Sequence, residues 1–395
     1  MNTNTVIPFK SSERMAIFAC DVSKDRINLY SDLGTSVIEE EFTNQTQTVE
    51  DALINYEHIA EKHGFGKVKI VCEPSGVYHR LLINAAERLG YDTAWVNPEA
   101  VSKMRVIESN DASKTDIKDP RVIHTLASIG KTLKHRELKG IYLQLREWNL
   151  VYEFADCGSV AVKCAIHPKM KTLFPDYKFG REFLYSPSGK ALMDIYGCNP
   201  YKIVKRGWKG FEKSMTEKIP RIRKQSIKRL FNQALISVKN ALDTRYAEIL
   251  ELRLQQLYEE YELHIKRKAE AREHMEALYD ELRLTDRKLP GSVKGVINKF
   301  HMARIIAETG PFSDFPNWRM MLRFSGQNIR EMQSGQYRGK SKMSKKGRPL
   351  IRKILYHAVL PLVKKDRIYE IYSHIKIAYE QVTGTIEITV VSGKS

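Results

Sequence analysis

Residues 247–284 run for 38 positions without a glycine or a proline, and Leu, Glu, Lys and Arg dominate them. A heptad frame fits, with Leu254, Tyr261, Lys268, Met275 and Leu282 at a, and Leu250, Leu257, His264, Ala271 and Leu278 at d. This spacing predicts one long helix whose apolar seam must be covered by another helix. His264 and Lys268 interrupt the seam, and a polar pair there can fix register at some cost in stability. An intermolecular or hairpin coiled coil is expected ahead of a lone helix lying on its own chain.

Charge shapes what surrounds that helix. The 395 residues carry a formal net charge of +18, distributed unevenly. Residues 1–130 net −5, 131–236 net +13, 237–290 net −2 and 291–395 net +12. Such asymmetry points to a polyanion held by the later blocks while the head does something else. The basic residues are interleaved with Tyr, Trp and Gly rather than laid along one amphipathic helix, which favours nucleic acid over a membrane surface. No apolar run approaches the roughly 20 residues of a membrane span, and the N-terminus lacks the apolar core of a signal peptide. A reducing cytoplasm is the expected compartment. The five cysteines are scattered and form no CxxC pair, so neither a disulfide framework nor a zinc site is indicated. The expected boundaries are a head at 1–130, a basic helical extension at 131–236, a coiled-coil linker at 237–288 and a C-terminal domain at 289–395.

Within the head, Met15–Asp21 and Lys67–Cys72 read as buried strands, each meeting an acid at its end, Asp21 and Glu73. Arg26–Ser31 and Val37–Thr43 complete a meander. Helices at Thr48–His63 and Val77–Leu89, a strand at Thr93–Val96 and a helix start at Pro98–Arg105 give a mixed α/β sheet. Asp116 and Asp119 follow, spaced i,i+3 at the start of a further helix, where both would lie on one side. Four converging carboxylates repel one another and require a cation, for which an all-oxygen set favours Mg²⁺ or Mn²⁺. Two such ions about 4 Å apart activate a nucleophile and stabilise the leaving oxygen of a phosphodiester. Singly, each acid reads as structural: Asp116 and Asp119 as a capping pair, the others as turn residues. Together, in this order, they favour a ribonuclease-H-like metal nuclease core.

Two basic stretches remain. Lys202–Lys213 (KIVKRGWKGFEK) mixes charge, aromatics and glycine. Lys205 and Arg206 can hold phosphates while Trp208 and Phe211 stack on unpaired bases, although core packing is the commoner job for each aromatic singly. Gln333–Lys353 holds eight Lys/Arg, three Gly, three Ser and no acid. It reads either as a basic surface loop or as a phosphate site with serine nucleophiles. Between them, Pro290–Gly310 reads as a turn and a helix closing at Gly310.

The pattern D-V-S-K at Asp21–Lys24, E-P-S-G at Glu73–Gly76 and K-T-D-x-x-D at Lys114–Asp119 resembles the RuvC-like domain of DEDD-type insertion-sequence transposases. This is the IS-one-ten family of bridge-RNA-guided recombinases. The C-terminal run resembles the family's transposase domain: Ser334–Gly335, Gly339, Met343–Ser344–Lys345–Lys346–Gly347 and Leu350–Ile351–Arg352. Pro120, Met343 and Lys346 depart mildly from the pattern. The resemblance implies an RNase-H-like N-terminal domain, a helical and coiled-coil middle and a helical C-terminal transposase domain. It also implies a metal site at Asp21, Glu73, Asp116 and Asp119, with Ser334 as a nucleophile that forms a phosphoserine link to DNA. Arg338, Lys340, Lys345, Lys346 and Arg352 would stabilise the phosphate charge, and Ser341 and Ser344 are rival nucleophiles. Donor and target DNA, a structured guide RNA and a second copy, in a dimer or tetramer, are the implied partners, in a bacterial or archaeal cytoplasm near the nucleoid. A metal-dependent junction resolvase without serine chemistry and a non-catalytic nucleic-acid scaffold are the competing readings.

Overall fold

The computed structural model describes residues 14–364, apart from 75, 110–117, 135, 241, 287–288, 293–296, 331–332, 335–336 and 340. The chain divides into two compact units, 1–137 and 138–395.

The first unit is built on one sheet. Its strands are β1 (Met15–Val22), β2 (Arg26–Asp32), β3 (Val37–Thr43), β4 (Lys67–Cys72), β5 (Asp92–Trp95) and β6 (Leu133–Lys134). Its helices are α1 (Thr46–Lys62), α2 (His79–Arg88), α3 (Pro98–Ser109) and α4 (Lys118–Ser128). The strand order is β3-β2-β1-β4-β5-β6. β1 to β3 form an antiparallel meander, β4 and β5 run parallel to β1, and β6 closes the edge antiparallel. This is the RNase-H-like arrangement expected from the meander followed by helical crossovers.

Both faces of the central strands are covered, and their side chains alternate between two cores. Phe18, Cys20, Ile70 and Cys72 pack with Leu53 and Tyr56 of α1 and Leu82 and Ile83 of α2. Ala19, Val71 and Ala94 face the other way, onto Val101 of α3 and Val122, Ile123 and Leu126 of α4. Burial on both sides explains why MAIFAC and KVKIVC read as continuous apolar runs rather than alternating ones.

In the second unit the helices are α5 (Ile141–Leu173), α6 (Pro187–Tyr196), α7 (Pro200–Lys218), α8 (Lys224–Ser237), α9 (Thr244–Thr285), α10 (Lys299–Thr309), α11 (Trp318–Ser325) and α12 (Pro349–Lys364). Four two-residue strands lie between the last two: β7 (Ile329–Arg330), β8 (Gln333–Ser334), β9 (Tyr337–Arg338) and β10 (Lys342–Met343). At 42 residues α9 is the long helix the heptads demand. Its seam is covered by α5 of the same chain, running antiparallel: Trp148 stacks on His274 at 4.1 Å, Asp156 meets Lys268 at 2.6 Å, and Lys163 lies over Tyr261. All ten heptad positions are buried or half-buried. The covering partner is thus within the chain, and the helix expected in a 131–236 extension pairs with the helix of the 237–288 linker.

The two polar seam residues have local reasons. Gly158 of α5 leaves a notch for the His264 ring; a Cβ there would stand 2.3 Å from His264 Cε1. Lys268 donates to Asp156 and lies over the Tyr152 ring. Both devices work only when those turns of α5 and α9 are level, so they fix register. One end of the hairpin carries the core shared with α6, α7 and α8, including Ile166, Met170, Leu192, Phe211, Leu230 and Leu254. The other end carries the core shared with α10 and α12, including Leu145, Met275, Tyr279, Ile306 and Ile354.

Gly158→Ala is expected to destabilise the protein by about 1–3 kcal/mol through overpacking, read as a lower urea midpoint. Gly158→Ala combined with His264→Ala should lose less than Gly158→Ala alone, because the ring that the new methyl strikes is gone.

Candidate functional site

The acids of the head are placed by strand register. Cys20 and Cys72 are partners in the parallel β1–β4 ladder, so Asp21 and Glu73, one residue further along each strand, stand side by side. Adjacent strands are about 4.8 Å apart. Alternation turns both acids away from the Cys20/Cys72 core and toward the face covered by α3 and α4. Their charge is felt in the core behind them: burial, then the fields of Asp21 and Glu73, push the Cys72 thiol up to about 12. Cys20 is likewise pushed up by burial, then by Cys72 and Asp21.

Asp119 reaches the same face from the first turn of α4 and is 2% exposed. Both its oxygens accept from Arg105 of α3, from Nε at 2.5 Å and from Nη2 at 2.7 Å. The Asp119 hydrogen bond and then the fields of Asp119, Glu73 and Asp21 raise the Arg105 pKa against the opposing effect of burial. Arg105 is therefore the cation that pairs with Asp119, and the charges of Glu73 and Asp21 reach it as well. Sequence reading missed it: Arg105 sits in an unremarkable helix, and only the packing of α3 beside α4 shows its partner. Asp116, the fourth acid, lies outside the described residues, as does the Lys114–Thr115 part of its motif.

The strand-end pair offers oxygen donors only, which suits a hard divalent cation such as Mg²⁺ or Mn²⁺. Among the described residues no group of three or more His, Cys, Asp or Glu side chains is arranged to hold a metal. The Arg105 fork already engages both Asp119 oxygens. Asp21 and Glu73 fit the role of metal platform, and Asp119 fits it once Arg105 releases an oxygen.

In the second unit the basic stretch 333–353 folds into two small ladders. Ser334 lies in β8, opposite Tyr337 of β9, with Gln333 opposite Arg338. Around it, β7 pairs with β10, Ile329 opposite Met343 and Arg330 opposite Lys342. The ladder continues through Ser344 N–H to Asn328 O, Lys345 N–H to Gly326 O and Arg348 N–H to Phe324 O. Gly326 and Gly347 let the two backbones touch: a Cβ on Gly347 would lie 2.4 Å from Gly326 N. The missing side chain at Gly347 thus serves the approach of the chain to itself. Lys345 adopts φ +55, a left-handed conformation that costs a lysine about 1 kcal/mol or more.

The cations of this stretch divide into two groups. Arg352 donates from Nη1 to Ser325 O at 2.8 Å and to Gly347 O, holding the end of α11 against the ladder. Arg348 reaches Glu308 at 3.2 Å, and Lys353 meets Glu153 and Asp156. These join a buried network in which Asn149 bridges Glu308 and Arg304, and Arg304 pairs with Glu153 at 2.7 Å. Lys345 and Lys346 remain exposed. Ser344 Oγ accepts from Lys346 N–H at 3.3 Å, and Ser341 is exposed. Ser334 and Arg338 are placed by their backbone, and Lys340 lies outside the described residues.

Of the earlier basic stretch, Lys205 and Arg206 are exposed on α7. Trp208 is half-buried, edge-on to Phe231 at 5.6 Å, and Phe211 is fully buried. The core-packing reading of these aromatics is the one the structure supports.

Two family models match. A DEDD-type IS110 transposase model matches residues 18–175, and a model for the transposase IS116/IS110/IS902 family matches residues 292–373. No curated protein matches. Among solved structures, T. thermophilus RuvC in complex with Holliday junction substrate is similar at 11% identity. The likeness covers 30% of this chain and 98% of that one, with a TM-score of 0.22, too low to add to the assignment. No helix among the described residues is long and apolar enough to cross a membrane.

Arg105→Met leaves a buried carboxylate without its partner, and a loss of about 3–5 kcal/mol is expected in urea unfolding; Arg105→Met with Asp119→Leu should recover most of it. The C-terminal network gives a pH signature. Burial raises the Asp156 pKa, but Lys268 and then Lys353 outweigh it and hold Asp156 below the usual aspartate value. A depressed folded pKa means stability that is present above the unfolded value, about 3.9, and lost as pH falls through the folded one. In Asp156→Asn this part of the acid destabilisation should be missing.

Proposed function

We propose that this chain, which belongs to the IS116/IS110/IS902 family of transposases, is a DNA recombinase that joins carboxylate-metal chemistry to a serine nucleophile. The observation that carries this reading is the β1–β4 register, which sets Asp21 beside Glu73 in a chain whose C-terminal part matches a transposase model. Asp21, Glu73, Asp116 and Asp119 would hold Mg²⁺ or Mn²⁺. When bound, the ion supplies Lewis-acid stabilisation of charge on a phosphodiester. Arg105 neutralises the acids and orients Asp119.

Ser334 Oγ attacks the scissile phosphorus. An Oγ–P bond forms, the P–O bond to the leaving strand breaks, the serine gives up its proton and the leaving deoxyribose oxygen gains one. One phosphoester replaces another, so the bond energy is retained and a hydroxyl from a second strand can reverse the step with a new partner. Lys345 and Lys346, exposed near the Ser334 hairpin in sequence, attract the phosphate, as do Arg338 and Lys340 in this reading. Arg352 acts through the fold of the ladder. Guidance by a structured RNA and action as a dimer or tetramer follow from the family resemblance and are part of the proposal.

Incubation with DNA, guide RNA and Mg²⁺ should give a covalent protein–DNA adduct on denaturing gels. Ser334→Ala should abolish it, and Asp21→Asn or Glu73→Gln should reduce its rate by at least about 100-fold. Cleavage by the wild type without any adduct would favour hydrolysis by the acids alone, and DNA binding without cleavage would favour a scaffold.

A further inference from the structure

The surface of α7 and α8 carries charge that neither motif set explains. Residues 202–229 contain 11 Lys/Arg and only two acids, Glu212 and Glu217. Both acids are engaged by lysines, Glu212 by Lys224 at 2.7 Å and Glu217 by Lys213 at 3.8 Å. Lys202 and Lys218 pair with Glu251 and Asp194, and Arg229 donates to Lys178 O while its guanidinium covers the Phe179 ring. Six cations remain: Lys205, Arg206, Lys209, Arg221, Arg223 and Lys228. All six are exposed, and none has a carboxylate partner among the described residues. The two helices pack side by side, and Arg221 and Arg223 occupy the turn that joins them. Arg206 is held close to its helix, because Gly210 has no side chain where the Arg206 stem lies; a Cβ there would be 3.0 Å from Arg206 Cγ.

Like charges gathered this densely repel one another and lower stability, so the arrangement is explained by a polyanion that covers it. The chemistry of the face narrows the partner. The large apolar side chains exposed on these two helices are Leu235 and Ile236, both in the last turn of α8, too few to anchor the face in a lipid interface. The aromatics that would stack on unpaired bases, Trp208 and Phe211, are packed against Phe231. What dominates the face is unpaired lysine and arginine, suited to phosphates more than to bases.

We propose that the α7–α8 face is a second nucleic-acid grip, which holds the sugar-phosphate backbone of double-stranded DNA without reading its sequence. The choice of DNA rests on the reading of this chain as a DNA-acting transposase; the phosphate chemistry does not. The grip lies on the core at the α6–α8 end of the α5/α9 hairpin, whereas α12, which follows the Ser334 ladders in sequence, belongs to the core at the other end.

The test is the salt dependence of binding by the full-length protein to a 30-base-pair DNA duplex of arbitrary sequence. Wild type is compared with two variants, Lys205→Gln/Arg206→Gln/Lys209→Gln and Arg221→Gln/Arg223→Gln/Lys228→Gln. Each lost phosphate contact lowers the slope of log K against log salt by about 0.9. Each triple variant should lose about 2 or more from the slope and at least about tenfold in affinity near 0.1 M salt, equally for unrelated sequences. An unchanged slope in both variants overturns the proposal, as does a loss seen with duplex RNA or single strands and not with duplex DNA. Adduct formation through Ser334, measured separately on the same proteins with saturating donor and target DNA, guide RNA and Mg²⁺, should persist. If that adduct is absent in the wild type as well, the transposase reading fails while the grip is still judged by the slope.

Discussion

The pairing of β1 with β4 is the constraint on which the head depends. Parallel strands with Cys20 opposite Cys72 place the next residue of each, Asp21 and Glu73, at neighbouring positions on one face. Neither acid could be brought there by local structure, because 51 residues, including the helix α1, lie between them. The same ladder buries Ala19 and Val71 against α3 and α4, so packing that stabilises the sheet also delivers Arg105 and Asp119 to the acids. A one-residue slip would exchange the two faces, sending Asp21 into the core of Phe18 and Tyr56. An uncompensated charge there is costly enough to make the register self-enforcing.

The second unit solves a different problem with one long antiparallel helix pair. Short helices at its two ends could not bury enough apolar area alone, and the hairpin gives each a surface to cover. A buried polar network joins α5, α10 and α12 through Asn149, Arg304, Glu308 and Glu153. Arg348 and Lys353 tie the basic stretch to it. Such a network does little for net stability but fixes geometry, since removing one member leaves another charge buried and unpaired. Two cations of the basic stretch are thus taken up by carboxylates of the protein itself.

Much of this was legible in the sequence. The meander, the crossover helices and the long helix follow from period-2 and heptad patterns, and the strand-end acids stand out because an unpaired charge beside buried neighbours is costly. The antiparallel partner of α9 was not legible, since α5 contains Gly158 and Pro168 and has no clean heptad of its own. Arg105 was hidden because a bidentate ion pair between helices leaves no local trace. Arg352 and Trp208 show how residue type leaves a choice open. Each can touch a ligand, yet one closes the end of α11 and the other packs against Phe231. Residue type tells what a side chain can do, while burial decides whether solvent or a ligand can reach it.

In the proposed function one chain combines strand-end carboxylates with Ser334, which becomes covalently attached to DNA. The most direct measurement is mass spectrometry of the trapped adduct after proteolysis and nuclease digestion. A nucleotide phosphate carried by Ser334 is the predicted result. A nucleotide on Ser341 or Ser344, or complete cleavage of DNA with no modified serine, would contradict it.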